Sequence, residues 1–154
     1  MPGSEPRPAR DVPAALTAAA ERSVAAGERW TPPRDRVLQL LLEARGPVRA
    51  YDLVAAFAPG AYTHPPTVYR ALDFLAAHGF VHHLKSVNRF VACVAPLGAH
   101  DAQFLICDGC GGVAERPFEL APALTGLAAA HGFVASSWVV ELQGRCPGCA
   151  GASA

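Results

Sequence analysis

Two pairs of closely spaced cysteines constrain the fold of this chain more than any other feature of the sequence. They are Cys107–Cys110, in CDGC, and Cys146–Cys149, in CPGC, and 35 residues separate one pair from the other. Each pair can present two thiolates from one tight turn, and a tetrahedral zinc ion binds four. The intervening segment must therefore bring the second cysteine pair back beside the first. The pattern predicts a structural zinc site made of four cysteines.

A redox function is the alternative interpretation of the same spacing. Thiol oxidoreductases carry a CxxC motif at the start of a helix in a thioredoxin-like βαβ setting, and neither pair has that setting. Both pairs instead enclose residues that favour turns, Asp-Gly and Pro-Gly. Structural zinc is therefore favoured over a zinc-stabilised thiol oxidoreductase.

No apolar run approaches the length of a membrane span and the N-terminal residues do not resemble an export signal, so we expect a cytoplasmic protein.

The N-terminal part of the chain has the periodicity of helices followed by a hairpin. Apolar residues recur at helical spacing, between residues typical of helix ends, over about 14–27, 31–46, 49–58 and 65–79. Two short β-rich runs, FVHHL and RFVACV, then enclose the polar segment KSVN. Helices followed by such a hairpin indicate a winged helix-turn-helix domain.

The C-terminal part of the chain has a different texture. It contains the strand-like runs FLIC and VAER, a helical segment at about 119–131, and an apolar run at 133–144 that leads into the second cysteine pair. These elements predict a small α/β unit, and the whole chain is predicted to be α+β. The predicted divisions are a disordered tail at 1–13, the winged-helix domain at 14–94, a hinge at 95–101 and the zinc-binding unit at 102–150.

Charge is distributed unevenly between these two parts. The chain as a whole has a formal net charge of zero, so its total charge does not indicate a partner. Residues 1–90 contain 11 Lys and Arg against 8 Asp and Glu, whereas residues 91–154 contain 2 against 5. This asymmetry favours an N-terminal part that meets a polyanion, since nucleic-acid binding relies on Lys and Arg.

The helix predicted at 65–79 has one apolar face and one unusual polar face. Val68, Leu72 and Leu75 share the apolar face. The opposite face lacks the usual scatter of Lys and Glu and carries Thr67, Tyr69, Arg70 and Asp73. On these residues alone, a nucleic-acid contact and an ordinary solvated helix face are about equally compatible with the sequence.

Several motifs taken together resemble the ferric uptake regulator family, and within it the branch of zinc uptake regulators. They are TPPRDRVLQLL, AYDL, PPTVYRALDFLAAHGFVH and the two cysteine pairs, and the resemblance covers about residues 20–149. It implies a homodimer in which each protomer has an N-terminal winged helix that binds double-stranded operator DNA. It also implies a C-terminal dimerisation domain whose four cysteines bind zinc.

The resemblance also implies which residues contact DNA. Tyr51 and Arg70 match positions that touch bases, and an arginine can donate two hydrogen bonds to a guanine edge. Five further residues are expected to contact phosphate without reading sequence: Thr67, Tyr69, Arg34, Arg36 and Arg49.

Cys93 is the one cysteine outside the two pairs. The resemblance implies that it belongs to a second, regulatory zinc site made of His82, Cys93, His100 and Glu115. Two imidazoles, a thiolate and a carboxylate form a suitable tetrahedral zinc set, and the thiolate disfavours hard ions. The alternative is that Cys93 is a small buried hydrophobe and His82 an ordinary strand residue.

The function implied by the resemblance is that of a zinc-responsive transcriptional repressor, not an enzyme. A dimer with two zinc ions per protomer would bind an inverted-repeat operator and repress zinc-uptake genes. The alternatives are a sensor of iron, manganese or peroxide from the same family, and a DNA-binding protein with structural zinc alone. Family sensors of iron and peroxide carry a His-rich run where this chain has AHDA and a histidine where it has Trp138. Four histidines have no assigned role: His64, His78, His83 and His131.

Overall fold

The computed structural model describes residues 11–44, 46–93, 102–116, 120–136 and 138–151. Residues 11–93 of this set fall in one compact unit and residues 102–151 in another. The predicted hinge at 95–101 lies outside the described residues, so the predicted domain boundary stays a prediction. Within the described part of the chain, no helix has the length and apolar character needed to cross a membrane.

The helices and strands follow the predicted order along the chain. They are α1 (Val12–Ala25), α2 (Pro32–Glu43), α3 (Ala50–Phe57), α4 (Pro65–Ala77), β1 (Val81–Leu84), β2 (Arg89–Ala92), β3 (Ala102–Cys107), β4 (Val113–Arg116), α5 (Ala121–Ala130), β5 (Val139–Gly144) and α6 (Pro147–Ala150). The helical N-terminal unit and the mixed C-terminal unit confirm the predicted α+β fold.

Prolines and glycines set the helix ends in the N-terminal unit. Thr31 is the N-cap of α2 and His64 that of α4, and prolines occupy the first two positions of both helices. A first turn tolerates proline because its N–H groups have no partner within the helix. Gly79 follows α4 with a φ of 72°, a left-handed conformation that glycine adopts at little cost.

Helix α1 begins at Val12, two residues earlier than predicted and inside the predicted disordered tail. The Asp11 side chain caps it by accepting a hydrogen bond from the Ala14 N–H at 3.1 Å. Such a cap satisfies one of the donors that a helix N-terminus leaves unpaired. Gly27, with a φ of 78°, follows the end of the helix, as predicted.

The four helices of the N-terminal unit and its hairpin share one hydrophobic core. Helix α2 packs against α1, α3 and α4. The fully buried large side chains of this core are Val37, Leu41, Leu53, Val68, Leu72, Leu75 and Val81. Burying each such side chain contributes about 1.5–3 kcal/mol. This core fixes α4 by its apolar face and leaves the opposite face outward.

Strands β1 and β2 form the predicted hairpin. They pair antiparallel, with His82 opposite Val91. Val48 adds a short third pairing, because its N–H and C=O bond to the backbone of Phe90 at 2.8 and 2.7 Å. The turn contains Asn88 with a φ of 48°, a conformation that asparagine adopts more readily than most residues. Helices and hairpin together form a winged helix-turn-helix.

The C-terminal unit is a three-stranded sheet in the order β4-β3-β5, with α5 in the connection between β4 and β5. Strand β3 pairs antiparallel with β4 and parallel with β5. The strand predicted at 133–144 begins only at Val139. Phe133 and Val134 are exposed, so the apolar run there does not extend the sheet.

Candidate metal centres and DNA-binding surface

The four paired cysteines converge in the C-terminal unit and are called the four-cysteine cluster below. Cys107 ends β3, Cys110 lies in the turn that follows, and Cys146 and Cys149 lie at the start and inside of the short α6. Their sulfur atoms all lie within 4.8 Å of one another, and those of Cys110 and Cys146 are 3.9 Å apart. Tetrahedral zinc with bonds of about 2.3 Å places its sulfurs about 3.8 Å apart. The cluster therefore fits a zinc site with four thiolate ligands.

The register of the sheet brings the two pairs together. Parallel pairing places Cys107 beside Gly144, and the Asp108 N–H donates to the Gly144 carbonyl at 2.8 Å. The Cys146 N–H then donates to the Cys107 sulfur at 3.2 Å. The 35 residues between the pairs contain β4, α5 and β5, and β5 returns the chain to the side of β3. The wide spacing is therefore compatible with one metal site.

Gly109 allows the two cysteine turns to approach closely. A Cβ atom at this position would lie 2.9 Å from both the Cβ and the Sγ of Cys149. These atoms belong to a short side chain whose sulfur is part of the cluster, so they have little room to move. Any larger residue at Gly109 would push the two pairs apart.

The thiols of the cluster differ in their affinity for protons. The backbone N–H groups of Cys146 and Cys110 lower the pKa of Cys107 to about 6, because they stabilise its thiolate. Side-chain hydrogen bonds with Cys146 and Cys107 raise the pKa of Cys149 to about 12. Since zinc binds thiolates, metal binding at this cluster releases protons.

His82 and Cys93 form a second pair of possible ligands, in the N-terminal unit. Both are buried, and a ring nitrogen of His82 lies within 4.8 Å of the Cys93 sulfur. Cys93 follows β2 directly, and its N–H donates to the Phe80 carbonyl at 2.9 Å. Glu115 lies half-buried on β4 of the C-terminal unit, and His100 lies outside the described residues. The four-residue regulatory site thus stays a prediction.

The outward face of α4 carries the side chains predicted to contact DNA. Tyr69 and Arg70 are exposed and Thr67 is half-buried, whereas the core face of the helix is buried. On α3, Tyr51 has 77% of its surface exposed, and the exposed Arg49 is the N-cap of that helix. These side chains are accessible from solvent, as contact with DNA requires.

Arg36 makes contacts inside the fold, and its predicted phosphate contact stays a prediction. Its Nε and Nη2 donate to the carbonyls of Phe57 and Ala56, both at 3.1 Å. Its Nη1 donates to the Gln39 side-chain oxygen at 3.0 Å. The two carbonyls belong to the last turn of α3, where helices leave acceptors unsatisfied. Arg36 therefore ties α2 to the end of α3 with two of its five N–H donors and bonds Gln39 with a third.

Arg34 is also held by the N-terminal unit, although it remains half-buried. Its guanidinium lies 3.3 Å from the centre of the Phe74 ring and donates to the Arg29 carbonyl. A phosphate contact by Arg34 stays a prediction, and it would use donors that face away from these partners.

Comparison with known proteins identifies the family of the chain. Residues 25–142 match the ferric uptake regulator family. The chain belongs to this family. It is 40% identical to the zinc uptake regulation protein of Escherichia coli K12 over 124 residues, which are 79% of this chain and 72% of that protein.

Two solved structures resemble this family member over nearly its whole length. A zinc uptake regulator complexed with zinc and DNA is 36% identical, with a TM-score of 0.83, and the match covers 93% of this chain and 97% of that one. The holo form of XcZur is 43% identical, with a TM-score of 0.77, and the match covers 91% and 96%. Both likenesses extend over the winged helix and the zinc-binding unit.

Sequence reasoning missed two residues that shape the sites of this family member. Gly109 is one of several glycines near the first cysteine pair, and the sequence does not show which of them meets Cys149. Arg36 bonds carbonyls 20 and 21 residues away, a contact that only the packing of α2 on α3 creates. A glycine between paired cysteines was the available signal for Gly109, whereas nothing in the sequence indicated the partners of Arg36.

Proposed function

We propose that this member of the ferric uptake regulator family is a zinc-responsive transcriptional repressor. As a zinc-loaded homodimer it binds inverted-repeat operator DNA in the cytoplasm and represses zinc-uptake genes, with no enzymatic step. The observation that carries the proposal is the 36% identity, over 93% of this chain, to a zinc uptake regulator complexed with zinc and DNA. The name of the Escherichia coli relative points to the same function.

The four-cysteine cluster serves as the structural zinc site in this proposal. Its four sulfurs lie within 4.8 Å of one another, and those of Cys110 and Cys146 are 3.9 Å apart, which supports a tetrahedral thiolate site. Bound zinc supplies four bonds that crosslink the two cysteine turns. The close approach of Gly109 to Cys149 keeps the two cysteine turns next to each other. A closed set of four thiolates is typical of a structural site rather than a catalytic one.

A second zinc per protomer binds at the regulatory site of His82, Cys93, His100 and Glu115. The buried pair of His82 and Cys93 supports the proposal, because a ring nitrogen and a thiol lie close enough to share one ion. The remaining two ligands come from beyond residue 94. The chain on both sides of residues 94–101 would then be held by one ion.

The coupling between zinc and DNA follows from linkage. If the regulatory ligands bind zinc better in the arrangement that binds DNA, then zinc raises operator affinity, and the operator raises zinc affinity by the same factor. Coupling energies of this kind are typically about 1–3 kcal/mol, or roughly 5- to 150-fold. That range is wide enough for a regulatory switch.

Arg70 and Tyr51 read bases in the proposed complex. The residues that contact phosphate are Thr67, Tyr69, Arg34, Arg36 and Arg49. The exposure of Arg70, Tyr69 and Tyr51 supports these roles.

Homodimer formation is supported by exposed apolar residues of the C-terminal sheet. Leu105 and Leu142 are paired across β3 and β5, and 41% and 50% of their surfaces are exposed. A partner subunit would cover such residues.

A zinc titration of the purified protein tests this function. Metal content and binding to a duplex that the zinc-loaded protein selects from a random pool are followed together. We expect two zinc ions per protomer, and DNA binding that rises as the second one binds. One zinc per protomer with zinc-independent DNA binding would contradict sensing. Stronger activation by ferrous or manganous ion would indicate a sibling sensor, and a reactive thiol in the loaded protein an oxidoreductase.

A further inference from the structure

All three tyrosines of the chain lie within the helix-turn-helix, and all three are exposed. Tyr51 is on α3, Tyr62 in the connection between α3 and α4, and Tyr69 on α4, with 77%, 80% and 48% of their surfaces exposed. Exposed large aromatic side chains within one motif are candidates for an interaction site. Tyr51 and Tyr69 have proposed DNA contacts, whereas Tyr62, the most exposed of the three, has no assigned role.

Tyr62 is paired with His64, the N-cap of α4. The two rings meet edge to face, with centroids 4.8 Å apart and an angle of 83° between their planes. His64 is itself exposed. Its backbone is extended because a proline follows it, which places its side chain outside the helix. The two side chains therefore form one accessible polar and aromatic surface directly before α4.

The start of α4 is poorly equipped to hold phosphate through its backbone. Helix N-termini bind anions with the N–H groups that have no partner within the helix. Pro65 and Pro66 remove two of these groups, since proline has no N–H. The Thr67 N–H donates to the His64 carbonyl at 2.9 Å. A phosphate beside this end of the helix must therefore be held chiefly by side chains.

We infer that Tyr62 and His64 together form a phosphate-binding surface that docks the start of α4 on the DNA backbone. The inference rests on the proposed DNA-binding function. The Tyr62 hydroxyl and a His64 ring nitrogen supply the donors that the two prolines remove. The edge-to-face contact restricts both rings, which lowers the conformational entropy lost on binding.

The partner of this surface is the sugar-phosphate backbone and not a base. Sequence is read by side chains that enter the groove, whereas contacts to phosphate set the position of the protein on the duplex. Tyr62 precedes the first residue of α4 by three positions and is separated from it by the two-residue segment 63–64. Tyr62 therefore flanks α4, whereas Arg70 belongs to the exposed face of that helix.

The test compares zinc-loaded full-length proteins on two probes at one salt concentration. The probes are a duplex that the wild type selects from a random pool and a random-sequence duplex of the same length. Tyr62→Phe removes only the hydroxyl, and His64→Ala removes the imidazole. Val24→Ala, an exposed apolar position on α1, is the matched control. Thermal unfolding verifies that the fold is unchanged, as expected at exposed positions.

We expect Tyr62→Phe and His64→Ala each to weaken binding to both probes by roughly two- to tenfold, the usual effect of losing one hydrogen bond. The ratio of the two affinities should stay unchanged, and Val24→Ala should bind like the wild type. Unchanged binding by both variants would overturn the inference while leaving the proposed function intact. A loss on the selected duplex alone would overturn it in favour of a base contact. If the wild type selects no duplex, both proposals fall.

Discussion

The N-terminal unit is stabilised by a hydrophobic core, whereas the C-terminal unit buries few side chains. All of the fully buried leucines, including Leu41, Leu53 and Leu72, belong to the N-terminal unit among the described residues. In the described part of the C-terminal unit the buried residues are Ala102, Phe104, Ile106 and Cys107, and α5 and β5 contribute none. The two units must therefore derive their stability from different sources.

The composition of α5 explains much of this difference. Its sequence, APALTGLAAA, has alanine at half of its positions, so it offers little apolar surface to bury. Its two largest side chains are Leu124 and Leu127, and 58% of the surface of Leu127 is exposed. Zinc and a partner subunit can supply what such a unit lacks, because metal binding and association add to the free energy of folding. The comparison thus predicts that the units respond differently to metal removal.

Replacing a cysteine of the four-cysteine cluster should have the largest effect. We expect Cys110→Ser to lose the structural zinc and unfold the C-terminal unit, because structural zinc in small domains supplies on the order of 10 kcal/mol of folding free energy. The N-terminal unit, residues 11–93, should stay folded. Zinc content and hydrogen exchange of each unit measure this outcome, with Gly126→Ala on α5 as the control. A well-folded dimer lacking that zinc would refute the structural role.

A core substitution in the N-terminal unit should have a smaller effect that does not depend on metal. Leu72 is fully buried. We expect Leu72→Ala to lower the free energy of unfolding of this unit by about 2–5 kcal/mol, because it leaves a cavity. Denaturant unfolding with and without a zinc chelator measures the change. A destabilisation that appears only after chelation would contradict the separation of the two sources of stability.

Gly109→Ala tests the fit of the two cysteine turns. The added Cβ would lie 2.9 Å from two atoms of Cys149, so we expect zinc affinity at the four-cysteine cluster to fall by roughly ten- to a hundredfold. Gly126→Ala, on α5, is the matched control, because its Cβ would meet no atom within 4 Å. Competition with a zinc chelator measures both variants. Equal zinc affinities of Gly109→Ala and Gly126→Ala would show that the two cysteine turns can accommodate the added methyl group.

Arg70→Ala should leave the stability of both units unchanged and weaken only the binding of DNA. We expect a loss of about 1–3 kcal/mol on the selected operator and a relaxed preference at one position per half-site. Binding isotherms on operator variants measure the effect. Equal weakening on operator and random DNA would reassign Arg70 to a phosphate contact.

The two units also differ in how far their structures could be predicted. In the N-terminal unit, Thr31, Pro65 and Gly79 mark helix ends through local rules of backbone geometry, so the helices were predicted within a few residues. In the C-terminal unit the start of β5 was misplaced, because its limits depend on pairing with β3 and not on the apolar run at 133–144. Strand pairing between distant segments leaves little trace in local sequence.

The sites show the same contrast. The four-cysteine cluster was predicted in full because its ligands lie in pairs whose spacing reflects metal geometry. The pairing of His82 with Cys93 depends on the register of a hairpin, and it was suggested by family resemblance. The bonds of Arg36 to α3 were not predicted, because its partners lie 20 and 21 residues away and become visible only when the helices are packed.

Zinc-dependent operator binding by Cys93→Ser tests the sensing proposal most directly. Serine is close in size to cysteine but a poor zinc ligand, so the variant should keep its fold, its structural zinc and its dimer. Operator binding is measured against free zinc with the four-cysteine cluster kept loaded. The account predicts that the variant fails to bind the operator at zinc concentrations that saturate the wild type. A curve that overlays the wild type would show that Cys93 only packs the end of the hairpin, and that zinc is sensed elsewhere.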